Sequence, residues 1–199
     1  MSTAQRRVRA DPGQIRVIFP AIGRQVGRSP WRPEEDPRGL VHGTRDERAR
    51  ACLVLTLAEL LPPEQLAADL AELYHGGAAA ERSGVLRGLS VLVSGLPAVL
   101  TGPVVTVGTA VHEDALRAND LRLVAAAVGP FAARHLDRHV WRHAVLKCLF
   151  AGVPLGAVAD LERCADAELV RMVRDFVAER RAAGRPEPLD ARRVLVLSV

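Results

Sequence analysis

Lysine is almost missing from this chain. Lys147 stands alone against 26 arginines, so a guanidinium is used wherever any cation will serve and an ammonium in one place only. Aromatic residues are also scarce, at 4% with one Tyr and two Trp. That scarcity argues against a sheet rich in Tyr, Thr and Ile. It also argues against a nucleic-acid surface, which sets aromatics for stacking beside a basic stripe. Three cysteines, Cys52, Cys148 and Cys164, leave one unpaired in any intramolecular scheme and show no C-x-x-C spacing; the chain reads as reduced and cytosolic. There is no G-x-x-x-x-G-K-[ST] phosphate loop, no G-x-G-x-x-G turn, no H-E-x-x-H and no G-x-S-x-G elbow, which removes four common routes to catalysis.

What is present is Ala, Leu and Val, the residues of closely packed helices. With 199 residues the expectation is one all-α domain with a full core. The net charge of +4 is unevenly placed. Residues 1–33 hold seven arginines against Asp11 alone, and the remaining 166 residues hold 20 basic and 22 acidic side chains. Together with the prolines of Ser29 to Gly39, this predicts a flexible basic leader over 1–43 and a folded domain over 44–199. A signal peptide is rejected because Arg16 and Pro20 interrupt Ile15 to Ile22. Gly88 to Val111 carries no charge and is long enough to raise a transmembrane reading. Gly95, Pro97, Gly102, Pro103 and Gly108 would break a spanning helix repeatedly, so a buried helix, turn and helix is expected instead.

Thr44, three residues before Glu47, has capping-box spacing and opens a helix over Asp46 to Leu61. Further helices are expected over Glu64 to His75, Ala79 to Val93, Val104 to Leu116, Leu121 to Val128 after an Asn119 cap, Asp137 to Ala151, and Asp166 to Ala183. The β-branched run Val104 to Val107 could by propensity form a strand, though it has no evident partner, and Leu189 to Val199 is ambiguous. Short connections favour stacked helical hairpins, a HEAT-like α-solenoid, over an irregular helical bundle.

The segment His135 to Leu155 carries the candidate site. On a helix, Val140, Trp141, Ala144, Val145 and Cys148 share one half. His139, Arg142, His143 and Lys147 share the other with Leu146 and Phe150. The candidate ligand-binding residues are therefore Trp141, Arg142, His143 and Lys147. A compact ammonium can hold an anion, or cap carbonyls, where a guanidinium will not fit. His135, His139 and His143 recur every four residues, but a zinc reading lacks a completing ligand and His135 falls before a helix start at Asp137. No catalytic residue, metal or cofactor is assigned.

Trp141 to Leu155 (WRHAVLKCLFAGVPL) is followed by Leu161-Glu162-Arg163, by Glu168 to Met172 (ELVRM) and by Glu179 to Pro186 (ERRAAGRP). Upstream stand Leu61-Pro62-Pro63 and Ala80 to Arg87 (AERSGVLR). In order and spacing this set resembles the EboA family over roughly Leu57 to Leu195. Arg142-His143 stands where many members have Asn-Gln, and Gly88 to Val111 is more apolar than usual. The resemblance implies an all-α protein encoded in a multi-gene cluster of bacteria and algae, and supplies no activity for it. By the same resemblance, that cluster is associated with trafficking a secondary-metabolite precursor across the cytoplasmic membrane, beside a prenyltransferase-like membrane protein and several hydrolase- or isomerase-like proteins. The expected partners are thus the small-molecule precursor or other proteins of the cluster, and not nucleic acid. The expected place is the cytoplasm, with the inner face of the membrane as a peripheral alternative. Three functions are open: a non-enzymatic accessory or binding protein, a scaffold for the cluster's other proteins, and a lysine-dependent enzyme using Lys147 with His143.

Overall fold

The computed structural model describes residues 2–197, and among these every regular element is helical. Ser2 accepts the Gln5 N–H and caps α1 (Thr3–Ala10). A short 3-10 turn then leads into α2 (Ile15–Val26). A long loop follows before α3 (Arg45–Ala58), α4 (Pro63–His75), α5 (Ala79–Gly95) and α6 (Gly102–Arg117). The remaining helices are α7 (Leu121–Ala126), α8 (Pro130–His135), α9 (Arg138–Ala151), α10 (Leu161–Cys164), α11 (Ala167–Ala182) and α12 (Ala191–Leu195).

The expected flexible leader is corrected. Val8, Ile15, Ile18, Phe19 and Ile22 are all buried in one apolar cluster with Leu53, Val54 and Leu57 of α3 and Leu66 and Leu70 of α4. Residues 15, 18, 19 and 22 have helical spacing, which the arginines between them and Pro20 hide in a compositional reading. Polar ties add to the apolar ones. Arg16 reaches Glu72 at 2.7 and 2.9 Å and Asp69 at 3.1 Å on α4, and Arg9 pairs with Glu59. The boundary at 43/44 is therefore not a domain boundary.

The proline-rich loop is ordered too. Asp36 accepts the N–H groups of Leu40, Val41 and His42 at 2.8 to 3.0 Å. A short antiparallel bridge joins Pro30 to Thr44, with the Trp31 N–H on the Gly43 carbonyl at 2.9 Å. One carboxylate thus supplies the acceptors that prolines and glycines cannot arrange for themselves.

The Thr44–Glu47 spacing forms its expected cap, Glu47 accepting the Thr44 N–H at 3.0 Å. α3 packs most extensively on α5, and α4 on α6, so the hairpins α3/α4 and α5/α6 lie side by side. Two glycines permit the closeness of α3 and α5. A Cβ on Gly88 would stand 2.6 Å from Val54, and one on Gly84 would overlap the Arg50 stem. The uncharged stretch from Gly88 to Val111 forms the end of α5, a 3-10 turn at Pro97–Val99 and most of α6, so the β-branched run is helical, packed with Val104 and Val111 inward. No helix among the described residues is long and apolar enough to cross a membrane. Asp120, and not Asn119, caps α7, taking the Arg122 N–H at 2.8 Å. The ambiguous tail contains α12, whose Ala191 and Val194 are buried; Ser198 and Val199 lie outside the described residues.

A second apolar cluster gathers Leu40 with residues of α7 to α12, including Trp141, Val145, Cys148, Leu169 and Val173. Leu116, at the end of α6, packs against both clusters.

Candidate functional site

The face of α5 that meets solvent beside α3 carries Arg87, Ser90, Val91 and Ser94, at spacings of three, four and seven residues. Together with Glu47, Arg48 and Ala51 of α3, the loop residues Val41, His42 and Gly43, and Pro130, they enclose a cleft of about 530 Å³. The polar groups here are few and held from behind. Arg87 donates to the carbonyls of Leu40 and Val41 at 2.9 and 3.2 Å, tying α5 to the loop that Asp36 folds. Its Nε lies 3.8 Å from Glu47 Oε2 and has no hydrogen-bond partner. Glu47 is 2% exposed, and burial pushes its carboxyl above the usual carboxylate range against the opposing pull of Arg87.

Ser90 Oγ is buried on the same wall and has no partner either. Two polar atoms without protein partners beside an open cleft are what a bound molecule can satisfy. Gly43 is required by this geometry: its φ is +74°, and a Cβ would come 2.8 Å from Glu47 Oε2. One turn further along α3 a second charged group is wholly enclosed. Arg50 donates to Asp46 at 2.6 Å and to the Phe19 carbonyl at 3.0 Å, and Glu81 lies 3.6 Å from it.

The four residues expected to form a site on α9 do not converge. Lys147 donates to the carbonyls of Leu116 and Ala118 at 2.5 and 2.7 Å, closing the C-terminal end of α6. Capping is one of the two readings open to this lysine, and the carbonyls it caps belong to the end of α6 and not to its own helix. His143 lines a shallow pocket of about 300 Å³ with His139, Glu113, Arg117 and Lys147. Arg142 points elsewhere and forms a forked pair with Asp166, at 2.7 to 3.2 Å. That pair holds Asp166 while Asp166 caps α11 through the Leu169 N–H. Trp141 is buried in the second cluster, its indole N–H without an acceptor.

The histidine row also divides. His139 and His143 meet edge to face at 4.4 Å, whereas His135 on α8 packs against Phe131, which stacks on the buried His112. Burial lowers the His112 pKa to about 4. Of the cysteines, Cys148 and Cys164 are buried, burial pushing the Cys148 thiol up to about 12, while Cys52 is exposed.

Glu47, Arg87 and Ser90 are not among the residues that the sequence pattern marks as a site. A signal was there: Arg87, Ser90, Val91 and Ser94 form a polar-edged stripe where an otherwise uncharged segment begins. Arg87 also closes the AERSGVLR stretch that carries part of the family resemblance. What the sequence could not give is the loop of residues 39–43 that closes over them.

A family model described as metabolite traffic protein EboA matches residues 31–194. The chain belongs to the EboA family. The EboA match spans α3 to α11 and the loop before them, and so includes every wall of the α3–α5 cleft, whereas α1 and α2 lie outside it. Neither the curated proteins nor the solved structures gave a match.

Proposed function

We propose that this EboA protein serves metabolite traffic as a non-enzymatic binding protein, holding a small amphiphilic molecule in the α3–α5 cleft. The observation that carries this reading is the cleft itself: about 530 Å³, with Val41, Ala51, Val91 and Pro130 as its apolar lining among polar neighbours, and with Ser90 Oγ and Arg87 Nε buried unsatisfied in its wall. Apolar walls with a few placed polar groups suit such ligands. Of the cleft's ionic groups, Glu47 is engaged by the Thr44 N–H and Arg87 by two carbonyls, while Arg48 lies over the Trp31 ring. Among the described residues Ser90 has no base within hydrogen-bond reach, which favours holding a molecule over transforming it. A lysine-based enzyme finds little support, because the Lys147 ammonium spends two donors on carbonyls of α6.

In this reading the side-by-side hairpins α3/α4 and α5/α6 are the start of a HEAT-like stack, and the cleft lies where they meet the loop before α3. The protein works in the cytoplasm, close to the inner face of the membrane, and passes a precursor of secondary metabolism to other proteins of its gene cluster. A scaffold role is the second reading, favoured by Phe150 and Leu189, which are 70% and 92% exposed near the end of α9.

Ser94→Trp tests the first reading, since Ser94 is exposed at the rim and a large ring there fills the cleft without entering the core. Protein purified from the native host should lose its co-purifying small molecule, by mass spectrometry, and export should fall with Tm unchanged. Full export at normal protein level in Ser94→Trp overturns the cleft as the binding place.

A further inference from the structure

On the far side of Trp141 the structure brings three arginines together. Arg134 of α8, Arg138 of α9 and Arg163 of α10 line a pocket of about 350 Å³ whose other walls are Ala133, Leu136 and Trp141. Most arginines near a carboxylate here are paired with it. In this group only Arg163 is, by Asp160 at 2.6 Å. Arg138 donates to the Cys164 carbonyl at 2.7 Å and forms no ion pair, and Asp166, the carboxylate that feels its charge, is already forked to Arg142. Arg134 has neither an ion pair nor a hydrogen bond among the described residues, and it is exposed. Three positive charges thus face one negative charge, and like charges held together raise the energy of the empty pocket.

The tryptophan is the second and independent observation. Trp141 is 2% exposed, and its indole N–H, a donor with no other use, has no acceptor. A buried donor without a partner is one that an acceptor seated against the Trp141 wall can engage once that wall yields to it. Asp160 adds a detail. It is the one described non-glycine residue with positive φ, at 53°, and it holds Arg163 from within that turn as an internal counter-ion.

We propose that this pocket is a site for a phosphate-class dianion. Guanidinium forks match the oxygens of phosphate in pairs, and the excess of two positive charges calls for a dianion and not a monocarboxylate. The site is separate from the α3–α5 cleft and does not depend on what that cleft holds. The phosphate can belong to a small soluble molecule or to a lipid headgroup, and the chemistry that recognises it is the same.

The test uses the full chain carrying Trp31→Phe, so that Trp141 is the single tryptophan. Inorganic phosphate and glycerol phosphate are titrated at low salt, following Trp141 emission and binding heat, with acetate as the monoanion control. Phosphate should bind and shift the emission, and acetate should not. Arg134→Gln, a residue with no bond in the fold to lose, should weaken phosphate by about tenfold, the loss expected for about 1.4 kcal/mol. Arg138→Gln should weaken it similarly, while Arg181→Gln on α11 should leave it unchanged. Vesicles of phosphatidylcholine with or without phosphatidic acid locate the source. Sedimentation only with phosphatidic acid, lost in Arg134→Gln, assigns a lipid headgroup; soluble phosphate binding without sedimentation assigns a free ligand. No binding up to about 10 mM phosphate, binding unchanged in Arg134→Gln, or acetate binding as tightly as phosphate overturns the proposal.

Discussion

The two apolar clusters treat charge in opposite ways. In the first, built mainly on α1 to α6 with Leu123, Ala126 and Phe131 added from α7 and α8, the ion pair of Arg50 with Asp46 is enclosed completely, its side chains 0% and 2% exposed. In the second, built on α7 to α12, the forked pair of Arg142 with Asp166 has the shorter list of duties and the wetter place, with side chains 22% and 37% exposed. The residue types are the same and the closest distances, 2.6 and 2.7 Å, nearly so. The difference teaches that location decides what such a pair is worth: a buried charge must keep its partner, whereas an exposed one can fall back on water.

Removing residues 2–26 should do the most damage, because it strips Phe19, Ile18 and Ile22 from the first cluster and takes the Phe19 carbonyl away from Arg50. Burying each large side chain is worth about 1.5–3 kcal/mol, and several are lost together. The expected outcome is a chain that does not fold, seen as loss of a cooperative thermal transition. Retained folding would show that α3 to α12 form a core of their own. Arg50→Met is the next test. It leaves Asp46 buried without a counter-ion and should cost about 3–5 kcal/mol in denaturant unfolding. A loss under 1 kcal/mol would mean that water or relaxation reaches Asp46, and that the first cluster is no drier than the second.

These two changes mark where the sequence was legible and where it was not. The longer helices from Arg45 to Ala182 follow from apolar periodicity, caps and glycine stops, and most expected ends fall within two or three residues of the observed ones, whereas the short α8 and α10 were not expected. α1 and α2 were hidden because their arginines dominate the composition while their buried stripe is only one residue in three or four. The ordered loop was hidden for another reason: Asp36 stabilises it through three N–H groups whose approach no local pattern announces. The site divides likewise. Lys147 stood out by rarity and proved to have a distinct job, closing α6, but the carbonyls it serves are about thirty residues away in sequence. Arg134, Arg138 and Arg163 look ordinary among 26 arginines until α8, α9 and α10 bring them together.

Buried His112 sharpens the comparison through pH. Its pKa falls from about 6.5 unfolded to about 4 folded because burial opposes the charged ring. The unfolded chain then binds more protons between those values. Stability from keeping this ring neutral is present above pH ~6.5 and is lost as pH falls through that window, by up to about 3 kcal/mol near pH 4, at about 1.36 kcal/mol per unit. Carboxylates titrate in the same range, so the measurement is the difference between wild type and His112→Gln. That difference should change with pH between 6.5 and 4 and be flat above 7. A flat difference throughout would place water against the ring.

Lys147→Met should cost less, about 1.5–3 kcal/mol for the charge-assisted bonds to the Leu116 and Ala118 carbonyls, less whatever the methionine stem regains by packing. Lys147→Arg should not restore the loss, because a planar fork does not replace a compact ammonium. Export that falls only in proportion to folded protein marks the lysine as a cap. Export that collapses while Tm holds returns Lys147 and His143 to the centre of the functional site.

The smallest effect is expected at Arg142→Gln, and it is the control that makes the Arg50 result interpretable. The forked pair to Asp166 is short and well aligned, so geometry alone would rank it beside the buried pair. Water screens it, however, and Asp166 keeps its bond to the Leu169 N–H when the guanidinium is gone, so α11 stays capped. Asp166 is held below its usual range chiefly by the Arg142 hydrogen bonds. Stability tied to that shift is present above the unfolded carboxylate range and fades as pH falls below it. The expected cost at neutral pH is small, shrinking further when salt is raised from low to near-molar levels. Arg50→Met should show no comparable salt dependence. If Arg142→Gln costs as much as Arg50→Met, and does so at every salt concentration, then burial is not what separates the two pairs and the contrast between the clusters fails.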